Sequence, residues 1–117
     1  KGAVLVMCAA LSDGHGGEGF YETLKNCVHP AELYDRIMAT VQDKTVPDQW
    51  ESQILARILM RHRVIFVAPA ENRRLLEDMK LGWAADLPAA MAMARAEKGQ
   101  NAAVTVIPDG VSVIVKQ

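Results

Sequence analysis

The stretch 3-AVLVMCAALSDGHGGEGFYETLKN-26 decides how the rest of the chain is read. Its first nine residues, Ala3 to Leu11, are apolar without polar alternation, which asks for a strand covered on both faces. A glycine-rich loop follows, and then a short helical pattern over 18–26. Strand, loop and helix in that order open an α/β domain. The loop spells 14-GHGGEG-19, the G-x-G-x-x-G pattern in which glycines bring backbone close to a pyrophosphate at a helix N-terminus. That pattern also needs a compact strand-helix-strand unit with an acidic residue about twenty positions on, at the tip of the second strand. Here Pro30 and two more helical patterns intervene, and the next strand-like run is 64-VIFVA-68. Glu32 and Asp35 have the right count but fall on a helix. The loop is therefore read as a strand end that meets an anion, not as a dinucleotide site.

Outward from this junction, 102-AAVTVI-107 reads as a third strand, and 108-PDG-110 as the turn of a hairpin into 111-VSVIVK-116. Helical patterns fill the gaps. Pro30 begins one whose stripe is Leu33, Ile37 and Val41. The next, 49-QWESQILARILMRH-62, carries an Asp48/Glu51 capping box and places Trp50, Ile54 and Ile58 on an apolar stripe expected in the core. A further helix over about 72–80 is expected to stop near Gly82, and the last, over about 87–98, starts at the cap Asp86 and ends at Gly99. The expected fold class is α/β: a three-layer α/β/α sandwich, with a mostly parallel sheet and a C-terminal hairpin edge. It forms a single domain over 1–117.

Composition narrows the function. The formal net charge is −1 and aromatics make up 5%, so no basic, aromatic-laced surface is present and nucleic acid is not expected as a partner. The longest apolar run is too short to span a membrane, and no membrane partner is expected. Two cysteines, Cys8 and Cys27, are too few for a disulfide framework and fit a cytoplasmic domain. The chain opens at Lys1 almost directly on a strand, which reads as a domain excised from a longer polypeptide.

The chemistry-bearing residues cluster behind the loop. Tyr21 and Lys25 lie four apart and share one helix face, so a phenol, an ammonium and a helix N-terminus suit a small carboxylate. The same spacing also fits Tyr21 packing on the core while Lys25 pairs with Glu22. His15, alone in the loop, fits a base, a ligand or neither. Cys27-x-His29 lacks the further ligands of a zinc site. Trp83, in the expected loop after Gly82, fits a pocket wall or a packing role.

Three stretches, 12-SDGHGGEGFYETLK-25, 43-DKTVPDQWESQILARIL-59 and 105-TVIPDGVSVIV-115, together resemble the C-terminal domain of the nickel-dependent lactate racemase family. The resemblance covers nearly the whole chain. It implies a racemase or epimerase of 2-hydroxy acids that uses a nickel-pincer nucleotide in a cleft between two domains. It also implies that Tyr21, Glu22, Lys25 and Trp83 face the substrate, Lys25 at its carboxylate, while Gly16 and Gly17 border the cofactor. The family has glutamine where this chain has Glu22. The cofactor lysine, the nickel histidine and the proton-shuttling histidines belong to an N-terminal domain of the same chain, so no catalytic or metal-binding residue is assigned here and the fragment alone is expected to be inactive. The alternative from the residues alone is a non-catalytic α/β module that binds an anion or a partner.

Overall fold

The computed structural model describes residues 2–110. Strand β1 (Val4–Cys8) leads through the glycine loop into helices α1 (Glu18–Asn26), α2 (Pro30–Met38) and α3 (Gln49–Leu59). Strand β2 (Arg63–Val67), helix α4 (Arg73–Asp78), strand β3 (Gly82–Ala84) and helix α5 (Leu87–Lys98) complete the order. The three strands form one parallel sheet in the order β1-β2-β3, with Val4 opposite Arg63, Cys8 opposite Val67, and Ile65 opposite Gly82.

The period-two pleat of β2 divides the core. Val64 joins Leu24, Leu33, Ile37, Ala56, Leu76 and Met79, drawn from α1 to α4, while Ile65 joins Ala84 and Ala90 with Met93 of α5. Helices therefore lie on both sides of the sheet, the expected three-layer arrangement, but the covering is complete only at β2: Leu5 and Met7 on one face of β1 stay exposed. Ala90 is fully buried, and its small side chain lets α5 approach the strands closely. The expected Asp86 cap forms, its carboxylate accepting from the Ala89 N–H at 2.8 Å, and Gly99 (φ 94°) ends α5.

Four sequence expectations are corrected. The third strand is Gly82–Ala84, not 102–107. The stop of α4 is Lys80 in the left-handed region (φ 66°), with the Leu81 N–H donating to the Leu76 carbonyl at 2.9 Å. Gly82 serves packing instead. A Cβ there would lie 3.1 Å from Ile65 Cγ1 and 3.3 Å from the Val64 carbonyl oxygen. Gly82→Ala is expected to destabilise the domain by about 1–3 kcal/mol through overpacking, read as a lower urea midpoint at unchanged slope. An unchanged midpoint would show that β2 yields without strain.

Residues 102–107 are exposed and form no strand: Val106 stands 78% exposed, and among the described residues no strand lies beside the run to pair with it. The second arm of the expected hairpin, 111–116, lies outside the described residues. Asp48 does not build its capping box; it adopts a left-handed conformation (φ 59°) and its side chain makes no cap bond. Trp50 is 60% exposed and Ile54 41%, because α3 buries its Ser52–Ala56 face instead. Trp50 and Ile54 line an open apolar groove of about 400 Å³ with Leu5 and Met7 of β1.

Candidate functional site

Helix α1 is set by its two ends and one buried residue. Gly16 (φ 79°) turns the chain in a conformation that favours glycine, and Gly17 takes the N-cap position in extended backbone. Glycine offers no side-chain acceptor, so no capping side chain engages the first-turn N–H groups of α1. A Cβ at Gly16 would meet nothing within 4 Å, and one at Gly17 would reach only the Asp48 carboxylate at 4.0 Å. These glycines thus leave an open backbone surface at a helix N-terminus, which fits the anionic part of a nucleotide or a small acid.

Leu24 is fully buried and fixes which way α1 faces. Tyr21 is then half-buried at the edge of the core, and Lys25 points to solvent beside it. The Lys25 ammonium lies 5.1 Å from the Tyr21 ring centroid and 3.5 Å from Glu22 Oε1; Glu22 Oε2 accepts from Asn26 Nδ2 at 3.0 Å. The Glu22 carboxylate, and then Tyr21, raise the Lys25 pKa above its ordinary value, so the amine stays charged at neutral pH. The two arrangements open from spacing are both present in part: Tyr21 and Lys25 share a face, and Lys25 also pairs with Glu22.

The Tyr21 hydroxyl donates to Asp78 Oδ2 at 2.6 Å. That length is typical of a hydroxyl held by a carboxylate. The bond to Asp78, with burial behind it, raises the Tyr21 pKa, while nearby Lys25 opposes the rise. The His15 ring stacks on Tyr21, with centroids 4.9 Å apart and planes at 12°. His15 Nε2 lies 3.4 Å from Glu18, and its buried Nδ1 makes no hydrogen bond. Lys80 closes the group from α4's side: its ammonium donates to the Lys25 and Asp78 carbonyls, each at 3.0 Å, and so ties two helix C-termini together.

Asp78 and Lys80 were not legible as site residues. They stand more than fifty positions from Tyr21 and Lys25, and only the fold, which brings the end of α4 within hydrogen-bond reach of α1, joins them.

Trp83 lies on β3 rather than in a loop. Its indole N–H donates to the Ala68 carbonyl at 2.9 Å, and the Arg73 guanidinium sits 5.2 Å from its ring. With Ala9, Pro69 and Ala85 it lines a shallow pocket of about 400 Å³ at the C-terminal ends of the strands. Ligands of open α/β sheets favour that edge. Elsewhere, His62 Nδ1 accepts from the Ala3 N–H, and Cys27 is buried in the core. Among the described residues, no three His, Cys, Asp or Glu side chains are grouped to hold a metal ion.

The sequence matches the family model of the lactate racemase C-terminal domain over residues 1–115. It is 48% identical to a lactate racemase of Lactiplantibacillus plantarum and 44% identical to one of Thermoanaerobacterium thermosaccharolyticum. Both alignments cover 99% of this chain but only 27% of the relative. The solved structure of the lactate racemase apoprotein from T. thermosaccharolyticum superposes with a TM-score of 0.95 over 99% of this chain and 28% of that one, at 44% identity. A parallel α/β scaffold that presents Tyr21, Glu22 and Lys25 behind an open glycine loop, matched along almost its full length, places the chain in the lactate racemase C-terminal domain family.

Proposed function

We propose that this chain is the substrate-facing wall of a 2-hydroxy-acid racemase or epimerase that works with a nickel-pincer nucleotide. The chain spans about a quarter of its relatives' length, so the activity belongs to the whole protein. An N-terminal domain of the same chain supplies the acid-base groups and most of the cofactor's hold, and a cytoplasmic setting completes the reading. The observation that carries it is the exposed Lys25 ammonium, kept charged on the same helix face as Tyr21, behind a helix start that carries no side-chain cap.

In this reading Lys25 takes the carboxylate of the acid by a charge-assisted hydrogen bond. Anchoring that end fixes where the Cα–H bond points, which is the orientational part of catalysis. The Tyr21 hydroxyl points its proton at Asp78, so it offers the acid its ring face and oxygen lone pairs rather than a donor. Gly16 and Gly17 border the cofactor with open backbone, and Trp83 lines the adjoining strand-end surface. When bound, the nickel-pincer nucleotide supplies reversible hydride chemistry at the hydroxyl-bearing carbon.

Glu22 competes with the acid for Lys25 across 3.5 Å. Glu22→Gln is expected to lower KM for the acid roughly two- to fivefold, as suits an exposed ion pair, with less change in kcat. A KM that rises would mean Glu22 itself binds the substrate.

The reading is tested by loading the full-length protein with cofactor, supplying single enantiomers of a panel of 2-hydroxy acids, and following interconversion by chiral chromatography. Interconversion of at least one acid is expected; a loaded protein that interconverts none would overturn the reading.

A further inference from the structure

We propose that Asp78 is a positioning residue of this site, holding Tyr21 so that its ring carries Lys25 and His15 in register for the acid. The inference rests on the reading of α1 as the substrate-facing helix and adds a residue to it. Three observations carry it. The Tyr21–Asp78 bond is short, at 2.6 Å, partly buried, and crosses from α1 to α4, so it fixes the ring's rotation relative to the scaffold. The ring so held is the common neighbour of two groups whose other partners, Glu18 and Glu22, are solvent-exposed carboxylates: the His15 imidazole stacks on it, and the Lys25 ammonium sits over it. The backbone beneath is clamped to the same place, since Lys80 binds the carbonyls of both Lys25 and Asp78.

The bond also decides which chemistry Tyr21 offers. With its proton on the line to Asp78, the hydroxyl is spent as a donor and the phenol stays neutral into alkaline pH. The titratable groups around the ring are Glu22 and Lys25 on α1, His15 and Glu18 beside the loop, and Asp78 and Lys80 at the end of α4. Among them, Asp78 takes the short hydrogen bond from the hydroxyl, and Lys25 acts on the same oxygen in the opposite sense.

The test compares Asp78→Asn, Asp78→Glu and Tyr21→Phe in the full-length, cofactor-loaded protein by two independent readouts. The first is the alkaline titration of Tyr21, isolated as the absorbance difference between wild type and Tyr21→Phe. In wild type it is expected to fall above the ordinary tyrosine range, and in Asp78→Asn to return toward it. The second is kinetic. Asp78→Asn is expected to raise KM for the acid about tenfold, the lower end for a hydrogen bond to a charged group, with a smaller change in kcat. Asp78→Glu is expected to recover part of the loss, and Asp78→Asn added to Tyr21→Phe to cost nothing further. An unmoved titration, or losses from the two substitutions that multiply independently, would overturn the role given to Asp78. A wild-type protein that turns over no 2-hydroxy acid would instead overturn the racemase reading, and the titration would still judge whether Asp78 holds the phenol.

Discussion

Replacing Lys25 by alanine in the full-length, cofactor-loaded protein is expected to lower kcat/KM for a 2-hydroxy acid about 10- to 150-fold, the range of one hydrogen bond to a charged group. The loss should fall on binding and orientation together, because an unanchored acid no longer presents its Cα–H in one direction. The substitution should leave the fold intact, since Lys25 is exposed and its nearest charge, Glu22, is exposed enough to find water instead. Salt sharpens the expectation. An exposed ammonium that draws in a carboxylate is screened as ionic strength rises, so wild-type KM should climb with salt and the alanine variant's should not. Wild-type turnover by Lys25→Ala would remove the residue from the site.

Leu24→Ala, one position away, is expected to act by the opposite route and to destabilise the domain by about 2–5 kcal/mol. Leu24 is fully buried and is the one buried residue of α1, lying in the cluster with Leu33, Ile37, Ala56, Val64 and Leu76. The site depends on this anchor, because the facing of Tyr21 and Lys25 follows from which way Leu24 points. The expected signature is a lower urea midpoint for the domain, with activity lost in parallel as the domain opens. Activity that fell while the midpoint held would place Leu24 in the site rather than in the core.

Much of the scaffold was legible because it rests on local chemistry. Ala3 to Leu11 and Val64 to Ala68 carry unalternating apolar runs, and both strands formed in parallel, but only β2 is covered on both faces, since β1 leaves Leu5 and Met7 exposed. Asp86 and Gly99 bracket α5 as their capping chemistry requires. Legibility ended where the decisive partner is distant in sequence. Gly82 looked like a helix terminator because glycine commonly is one, yet it is demanded by Ile65 across the sheet. Residues 102–107 looked like a strand because they are apolar, but strand formation needs a neighbour, and none of the described residues supplies one. Trp50 sat on a plausible stripe, while the direction of α3 was set by α1 and α2.

The site divides the same way. Tyr21, Glu22 and Lys25 were readable from helical spacing and family resemblance, whereas Asp78 and Lys80 carry no local signature and emerge only from the packing of α4. The loop 14-GHGGEG-19 shows the reverse case, a strong local pattern whose setting differs from the one its spelling suggests. Its glycines meet open space, and the next strand after them is β2, three helices later.

The central claim is that Lys25 receives the acid's carboxylate, and it is tested most directly by comparing a 2-hydroxy acid with its neutral amide in wild type and Lys25→Ala. Wild type should prefer the acid in kcat/KM, and the alanine variant should lose that preference, with the ratio falling toward one. An acid-to-amide ratio unchanged by the substitution would contradict the account.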